Sequence, residues 1–408
     1  MTVVERRLVG GECSYWACMP TKTMLRAPEL LASGRHSDGA ITGASLDVQR
    51  IFAWRDWVAE RDDSSQVEWL AARNAKVMRG DAVVSEPGVL SIDGSGELRY
   101  DRLVIATGSH PVIPPIDGLD TVDYWTNVDA TETLEVPARL AILGGGPVGC
   151  ELAQFFQRVG SQVTLVQDGS RLLPRVDADA AALVDAALRE DGVDIRLDVR
   201  AKSATSNSLL LSDGSEVGFD RLLLATGRRP NVDGLDALGL EISPRGIEVD
   251  ERMRAAENVW ALGDVTGIAP FTHVGKYHAR IAAYDMDGRD VRADYRAVPA
   301  TIFTDPQVAT VGDTDGSVSS TWQLTSVPRL ATYERPKRPG FVKVVADPER
   351  RVLTGAVAVG PESGEWLQQL TLAIRAETPI EVLLDVIQPY PTFSEGVFLA
   401  LRELNLDL

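Results

Sequence analysis

Residues Arg139–Gly169, RLAILGGGPVGCELAQFFQRVGSQVTLVQDG, give the strongest indication of the fold class. Its apolar pattern predicts a strand over Leu140–Leu143, a glycine turn over Gly144–Gly149, an amphipathic helix over Glu151–Arg158 and a second strand over Val163–Gln167. Strand, helix and strand in this order form a βαβ unit, and alternation of the two element types predicts a parallel sheet.

The glycine turn has the spacing of a dinucleotide-binding fingerprint, with Gly144, Gly146 and Gly149 between a strand and a helix. The second strand ends about 20 residues later at Gln167 and Asp168, as the fingerprint requires. Without side chains the backbone can approach a pyrophosphate, and the helix N-terminus attracts the anion. A glycine turn that serves packing alone is the alternative.

The residues at the end of the second strand indicate whether NADH or NADPH is preferred. Gln167 stands where a carboxylate would bind the ribose 2′-hydroxyl of NAD or a cation would meet the 2′-phosphate of NADP. Asp168 would repel that phosphate, whereas Arg171 could reach it. The pattern favours NADH modestly.

Two other apolar runs, Leu103–Gly108 (LVIATG) and Leu222–Gly227 (LLLATG), predict buried strands that each end at a ligand-facing turn. The prolines of Pro111–Pro115 mark a connection to another domain. Beyond Asp264, several strands followed by two helices predict an α+β unit. The remaining predicted elements are a helix over Ala178–Glu190, strands over Val193–Leu197, Ala300–Gly312, Phe341–Val345 and Val352–Gly360, and helices over Glu365–Ala376 and Glu395–Leu404.

The length and net charge of the chain indicate the number of domains and the kinds of binding partner. The 408 residues correspond to two or three domains, and 41 Lys and Arg against 59 Asp and Glu give a net charge of −18. That charge disfavours binding to nucleic acid or to an anionic membrane. The sequence contains neither an apolar run of about 20 residues nor an apolar segment near Met1. We therefore expect a cytosolic protein that acts on small molecules.

The segment Gly10–Lys22, GGECSYWACMPTK, contains two of the three cysteines, Cys13 and Cys18. Cysteines at this spacing can close a small disulfide ring, and a nearby lysine or helix N-terminus stabilises a thiolate. A buried apolar pair and half of a zinc site are the alternatives. The histidines are His36, His110, His273 and His278. They and the absence of a second cysteine pair make a tetrahedral zinc site difficult to assemble, so redox chemistry is favoured.

Together these motifs resemble the pyridine nucleotide-disulfide oxidoreductases, the family that includes glutathione reductase, dihydrolipoamide dehydrogenase and mercuric reductase. The resemblance covers nearly the whole chain. Besides the cysteines, the fingerprint and both ATG turns, it rests on Ala225–Asn231 (ATGRRPN), Ala261–Asp264 (ALGD) and Thr304–Gly312 (TDPQVATVG).

The resemblance implies an α/β protein with two Rossmann-like domains, one for FAD and one for NAD(P), and a C-terminal α+β dimerisation domain. The FAD domain would comprise residues 1–118 and 246–295, the NAD(P) domain 119–245 and the dimerisation domain 296–408. The protein would be a homodimer that passes electrons from NAD(P)H through FAD to Cys13 and Cys18 and then to an acceptor.

Individual roles also follow from the resemblance. Cys13 would be the interchange thiol that attacks the substrate, and Cys18 would face the flavin and form a charge-transfer complex with it. Lys22 would pair with Glu151 near flavin N5, where positive charge stabilises the reduced ring. In the alternative, Lys22 is a solvated helix residue and Glu151 is a first-turn acid stabilised by the helix dipole. Cys150 is interpreted as a packing residue.

The implied FAD contacts lie at several motifs. Glu5 would meet the adenosine ribose, Asp264 the ribityl chain, and the backbone near Thr272 and His273 the isoalloxazine ring. The residues implied to approach cofactor closely are Gly11, Thr107, Gly108 and Gly227.

The N-terminus departs from the family pattern. Family members open with a strand, a glycine turn and a helix that bind the FAD pyrophosphate, and Met1–Glu5 (MTVVE) is typical of the strand that follows them. About 35 residues are expected before this strand. Either the start codon is assigned too late, or the protein is truncated and binds FAD weakly.

The segment Gln388–Glu395, QPYPTFSE, is the second departure. Disulfide reductases of the family have a histidine base at the position of Tyr390, held by a carboxylate at the position of Glu395. A tyrosine with a pKa near ~10 is a poor base at neutral pH but can donate a hydrogen bond. Mercuric reductases share this tyrosine, although the sequence ends in NLDL without their C-terminal cysteine pair.

The electron acceptor therefore stays open between a low-molecular-weight or protein disulfide, a quinone-like oxidant and a soft metal ion. A flavin-free, non-catalytic nucleotide-binding dimer is the alternative from another class of protein.

Overall fold

The computed structural model describes residues 1–35, 39–316, 318–333 and 340–404. His36 and the final NLDL lie outside these ranges. The helices are α1 (Glu12–Tyr15), α2 (Cys18–Arg35), α3 (Val48–Ala59), α4 (Ser64–Ala71), α5 (Asn127–Glu132), α6 (Pro147–Arg158), α7 (Ala178–Glu190), α8 (Thr272–Met286), α9 (Ser363–Trp366), α10 (Gln368–Arg375), α11 (Ile380–Asp385) and α12 (Ser394–Arg402).

The strands are mostly short. The first are β1 (Thr2–Glu5), β2 (Lys76–Arg79), β3 (Ala82–Glu86), β4 (Val89–Ile92), β5 (Gly96–Arg99), β6 (Leu103–Ile105), β7 (Ser109–Pro111), β8 (Tyr124–Trp125), β9 (Arg139–Leu143), β10 (Gln162–Val166), β11 (Asp194–Arg196), β12 (Ala201–Ala204) and β13 (Ser208–Leu211). The others are β14 (Glu216–Gly218), β15 (Arg221–Leu224), β16 (Arg228–Pro230), β17 (Ile242–Ser243), β18 (Gly246–Ile247), β19 (Arg254–Ala256), β20 (Val259–Ala261), β21 (Pro299–Ile302), β22 (Gln307–Gly312), β23 (Val318–Gln323), β24 (Phe341–Asp347) and β25 (Val352–Gly360).

The chain divides into two compact units. Unit 1 comprises Met1–Pro20, Asp56–Val112 and Gly227–Asp294, and unit 2 comprises Thr21–Arg55, Ile113–Thr226 and Tyr295–Leu408. Both units are discontinuous in sequence. The three domain boundaries predicted from the sequence remain a prediction.

The predicted βαβ unit is present in unit 2, within a five-stranded sheet of order β11-β10-β9-β15-β8. The pairs in this sheet are parallel, with Ala141 opposite Thr164 of β10 and Leu222 of β15. Helix α6 begins at Pro147, four residues before the predicted start. Proline lacks the N–H that the first helical position leaves unpaired, and its fixed φ suits that position.

The C-terminal part of unit 2 is a five-stranded antiparallel sheet, β21-β22-β25-β24-β23, whose core includes side chains of α10 and α12. The stretch 300–312, predicted as strand, forms two strands with a break before Gln307. Pro306 lies in the break, and proline has no N–H to contribute to a ladder. The predicted helix Glu365–Ala376 is likewise two short helices, α9 and α10.

Unit 1 carries the motifs around the cysteines. The first predicted strand is confirmed as β1, parallel to β2, and LVIATG supplies β6, parallel to β20. The two segments that follow the ATG turns pair antiparallel as β7 and β16. Helix α8 belongs entirely to this unit. Within the described residues no helix is long and apolar enough to cross a membrane.

Candidate redox-active site

Cys13 and Cys18 form a disulfide in unit 1, with their Cα atoms 4.7 Å apart. Cys13 lies in α1, and Cys18 is the first residue of α2. The Cys18 sulfur is 3.8 Å from Oγ1 of Thr272, the first residue of α8. The N-termini of two longer helices therefore meet at Cys18, and their dipoles favour a thiolate there.

Two aromatic residues between the cysteines were missed as site residues. Tyr15 and Trp16 are both buried. The Tyr15 hydroxyl donates to the Val9 carbonyl over 2.8 Å, and the Arg7 guanidinium lies 3.8 Å from the Trp16 ring centroid. Burial raises the pKa of Tyr15, so its hydroxyl stays protonated. These contacts anchor the disulfide loop, and the apolar character of SYWA is the signal that could have indicated them.

The predicted pairing of Lys22 with Glu151 is present in unit 2. The Lys22 ammonium lies 2.6 Å from Oε2 of Glu151, whose side chain is almost fully buried. The other oxygen, Oε1, accepts a hydrogen bond from the Phe303 amide over 2.9 Å, and the ammonium is 4.9 Å from the Phe303 ring centroid. A buried carboxylate bonded at both oxygens holds a cation in one place.

The glycines of the nucleotide fingerprint have distinct roles in unit 2. A Cβ on Gly149 would lie 1.9 Å from the Gly144 carbonyl oxygen, so only glycine allows the helix to approach the turn. Gly146, by contrast, has open space beside it among the described residues and precedes α6 without a side-chain cap. The backbone N–H groups of this helix start are thus accessible to a pyrophosphate.

The glycines predicted to approach FAD share one environment in unit 1. Gly11, Gly108 and Gly227 all have positive φ, and no described atom comes within 4 Å of a Cβ placed on them. Ser109, the residue after Gly108, donates a 2.7 Å hydrogen bond to the Asp264 carboxylate. Open glycine backbone beside an ionisable carboxylate fits a polar ligand such as the ribityl and phosphate groups of FAD.

Family models match almost the entire chain. A model described as "Pyridine nucleotide-disulphide oxidoreductase" matches residues 1–283, and the dimerisation domain of the same family matches residues 298–400. The chain belongs to this family. Its members are flavoprotein oxidoreductases that use FAD and a pyridine nucleotide.

Individual relatives act on different substrates. Mercuric reductase of Shigella flexneri is 35% identical over 438 residues, which cover 100% of this chain and 77% of that protein. Dihydrolipoyl dehydrogenase of Thermus scotoductus is 32% identical over 425 residues, which cover 98% and 91%. The HOCl-induced flavoprotein disulfide reductase RclA of Escherichia coli has a TM-score of 0.86 and 27% identity, covering 98% of this chain and 94% of RclA.

The residues that the sequence predicts to select the coenzyme have the following contacts in unit 2. Gln167 is buried, and its Oε1 accepts a 2.8 Å hydrogen bond from the Gly145 amide. Arg171 donates to the carbonyls of Leu173, Pro174 and Val176, which hold it within its own loop. The cation beside Asp168 is Arg200, at 3.6 Å, a residue that the sequence did not single out because it follows a different strand.

The remaining predicted FAD residues lie within unit 1. Thr107 and Asn231 exchange hydrogen bonds of 2.6 and 2.8 Å. The Glu5 carboxylate accepts a hydrogen bond from the Arg7 amide over 2.8 Å, and the His273 ring stacks on Phe271. No group of three or more His, Cys, Asp or Glu side chains placed to hold a metal ion occurs in the described ranges.

Tyr390 and Glu395 lie in unit 2 without a mutual hydrogen bond among the described residues. Tyr390 is 72% exposed. Oε2 of Glu395 is buried and has no hydrogen-bond partner in the part of the chain that the structure describes. An exposed phenol near the C-terminus is compatible with a site completed by a second subunit.

Proposed function

We propose that the chain is an FAD-dependent NAD(P)H oxidoreductase whose electrons reach the Cys13–Cys18 disulfide. The observation that carries this proposal is the disulfide itself, with Cys18 against the first residue of α8. A disulfide whose reduced form gains a stabilised thiolate accepts electrons readily.

Each redox residue then has one task. Cys18, at two helix N-termini, is the thiol that remains as a thiolate after reduction. Cys13 attacks the acceptor. Lys22, held by Glu151, supplies positive charge where reduced cofactor accumulates negative charge.

FAD, when bound, relays two electrons from the coenzyme to the disulfide. Gly11, Gly108 and Gly227 would let it approach the backbone, and Asp264 would hold its ribityl chain. Thr107, Thr272, His273 and Glu5 are proposed to complete its surroundings. The coenzyme pyrophosphate would lie at the start of α6, on the turn that contains Gly144, Gly146 and Gly149.

We infer a modest preference for NADH. Asp168 is the exposed carboxylate at the end of β10, and it would repel a 2′-phosphate. Arg200 offsets part of that repulsion, because its guanidinium lies 3.6 Å from the same carboxylate. Gln167 supports the glycine turn rather than the ribose.

Tyr390 argues against a disulfide as the electron acceptor, because a neutral phenol cannot efficiently take a proton from the Cys13 thiol at pH 7. A phenol can instead hydrogen-bond a thiolate or help to hold a soft cation. The similarity to mercuric reductases supports a soft metal ion as a second candidate acceptor. In that reaction two electrons would reduce a divalent cation bound by the dithiol to the element.

The dimerisation domain supports a homodimer. We propose that each Tyr390 reaches Cys13 of the other copy, with Glu395 behind it.

Counting thiols tests this function. Protein reconstituted with FAD is treated anaerobically with excess NADH, the coenzyme is removed, and free thiols are titrated under denaturing conditions. We expect two more thiols than in the untreated protein, and no increase in Cys13→Ser/Cys18→Ser. An unchanged thiol count in flavin-loaded protein, or a failure to take up flavin at all, would contradict the proposal and favour a non-catalytic dimer.

A further inference from the structure

A charged residue directly precedes the interchange thiol. The Glu12 carboxylate forms an ion pair with the Arg228 guanidinium, and their side chains are only 30% and 28% exposed. Glu12 opens α1, the short helix that contains Cys13. The ion pair therefore ties the disulfide loop to the start of β16.

Arg228 is itself held firmly. Its Nε donates to Oγ of Ser109 over 2.7 Å, and its Nη2 donates to the Ser109 carbonyl over 2.7 Å. The Ser109 hydroxyl in turn donates to Asp264, and β16 pairs with β7, the strand that contains Ser109. A guanidinium bonded twice to one neighbouring residue holds its carboxylate partner in one position.

The sign of the charge near Cys13 determines how readily its thiol loses a proton. An unpaired carboxylate beside a thiol disfavours the thiolate, and an arginine beside that carboxylate offsets the effect. The elements packed around the loop carry other ionisable groups, which stay constant in the comparison below. They include Arg7 against Trp16, Asp264 in the turn that precedes α8, and His273 in α8 itself. Glu5, Asp62, Asp63 and Arg79 act on Tyr15 within the loop. Lys22 follows Cys18 one turn later in α2.

We propose that Arg228 is a positioning residue for the redox pair, which holds Glu12 and offsets its charge so that Cys13 reacts as a thiolate. The inference rests on the proposed function. Hydride from the coenzyme supplies two electrons and one hydrogen, the S–S bond breaks, and the products are one thiolate and one thiol. Arg228 acts on the later step, in which Cys13 loses its proton and attacks the acceptor.

The test measures Cys13 directly and needs neither FAD nor coenzyme. In a Cys18→Ser background, the rate of Cys13 alkylation by iodoacetamide is followed from pH 5 to 10 by peptide mass spectrometry. Cys150 is an internal control for folding, because it is fully buried and burial raises its pKa. The variants are Arg228→Gln, Arg228→Lys, Glu12→Gln and Glu12→Gln/Arg228→Gln.

Arg228→Gln should slow Cys13 alkylation at pH 7 by about three- to tenfold and move the profile to higher pH, because a shift of one pKa unit is about a tenfold change in thiolate. Arg228→Lys should retain most of the rate, and Glu12→Gln should increase it. The double variant should recover to within about twofold of the parent, since both charges are gone.

A double variant as slow as Arg228→Gln would overturn the proposal, because the arginine would then act through folding alone. Unchanged rates in all four variants would also overturn it. If Arg228→Gln exposes Cys150 to alkylation, Glu12→Gln decides: a faster rate supports the proposal and an unchanged rate refutes it. Thiol counting with NADH is unaffected by these outcomes, so failure of the proposed function is seen separately.

Discussion

Among individual residues, Tyr15 and Trp16 hold the loop between the two cysteines in place, although neither takes part in the proposed redox reaction. Tyr15 and Trp16 fill the interior between Cys13 and Cys18, and the Tyr15 hydroxyl fixes the preceding backbone at Val9. The disulfide thus closes on a loop that packing already holds. Such preorganisation keeps both sulfur atoms in place when the bond is broken.

Tyr390 offers the first prediction at this scale. Tyr390→His should raise the turnover of a glutathione- or lipoamide-type disulfide by at least about tenfold, because an imidazole accepts the thiol proton at pH 7 and a phenol does not. Tyr390→Phe should impair any acceptor that depends on the hydroxyl. Steady-state kinetics with disulfides, quinones and soft metal ions measure both effects. Rapid disulfide turnover by the unmodified enzyme, unchanged in Tyr390→Phe, would mean that another base serves Cys13.

The coenzyme site gives the second prediction. Asp168→Ser should shift the ratio of kcat/KM for NADPH over NADH upward by about tenfold, since repulsion is removed and Arg200 is released to meet a 2′-phosphate. Adding Arg200→Gln should reverse most of the shift, whereas Arg171→Gln should not. An Asp168→Ser ratio equal to that of the parent would exclude these two residues as coenzyme determinants.

The contacts of Gln167 and Asp168 show what the sequence could and could not predict. The fingerprint spacing located the turn and the strand end, because those positions depend on backbone geometry. The spacing did not reveal that the Gln167 side chain turns inward. It does so because the buried Gly145 amide needs a hydrogen-bond acceptor, and the glutamine oxygen supplies it. The partner of Asp168 comes from residue 200, and contacts between distant segments leave no local pattern.

At the scale of elements, strong periodicity was the reliable signal. Helix α7 has the predicted bounds Ala178–Glu190, since an acidic cap, an apolar stripe and a terminal glycine agree there. Helices α3 and α4 were not predicted, because their tryptophans, Trp54, Trp57 and Trp69, are exposed and blur the apolar stripe.

Asp177, the cap of α7, gives a prediction about stability. Its carboxylate accepts hydrogen bonds from the Asp179 and Ala180 amides and lies 2.8 Å from the Lys343 ammonium of β24. Asp177→Ala should lower the free energy of unfolding by roughly 1–3 kcal/mol at pH 7, because it removes a cap and leaves a half-buried ammonium unpaired. Urea denaturation measures the loss. The control is Asp185→Ala, which removes an ion pair with Arg189 in the same helix but no helix cap.

The same residue fixes a pH dependence. Burial raises the pKa of Asp177, but the hydrogen bonds from Lys343 and the helix amides outweigh it and leave the pKa below its usual value. The carboxylate therefore stabilises the fold above about pH 4, its unfolded pKa, and the difference between parent and Asp177→Ala should disappear as the pH falls through the lowered value. A difference that does not decrease as the pH falls below about 4 would contradict this assignment.

At the scale of the whole molecule, the C-terminal segment presents apolar surface. Ile387 is 95% exposed and lies three residues from Tyr390 in the dimerisation domain. Ile387→Glu should weaken the homodimer, because a charge would be buried at an apolar contact. Sedimentation analysis of Ile387→Glu should then show a larger fraction of 44.2 kDa monomer than the same analysis of Leu134→Glu, a control substitution outside that domain. Equal dimer content in both variants would place the interface elsewhere.

If electrons from NADH reduce the disulfide and leave a thiolate at Cys18, the absorbance of bound flavin should report that thiolate under anaerobic conditions. Protein reconstituted with FAD is reduced by two electrons per flavin and its absorbance is recorded beyond the flavin bands. We predict a long-wavelength thiolate-to-flavin charge-transfer band in the two-electron-reduced parent, where the disulfide takes the electrons and the flavin stays oxidised. Cys13→Ser has no disulfide to reduce, so it should show the band before reductant is added, and Cys18→Ser should show none in either state. A band that survives Cys18→Ser would contradict the assignment of the two cysteines, and its absence in the parent would contradict the account of electron flow.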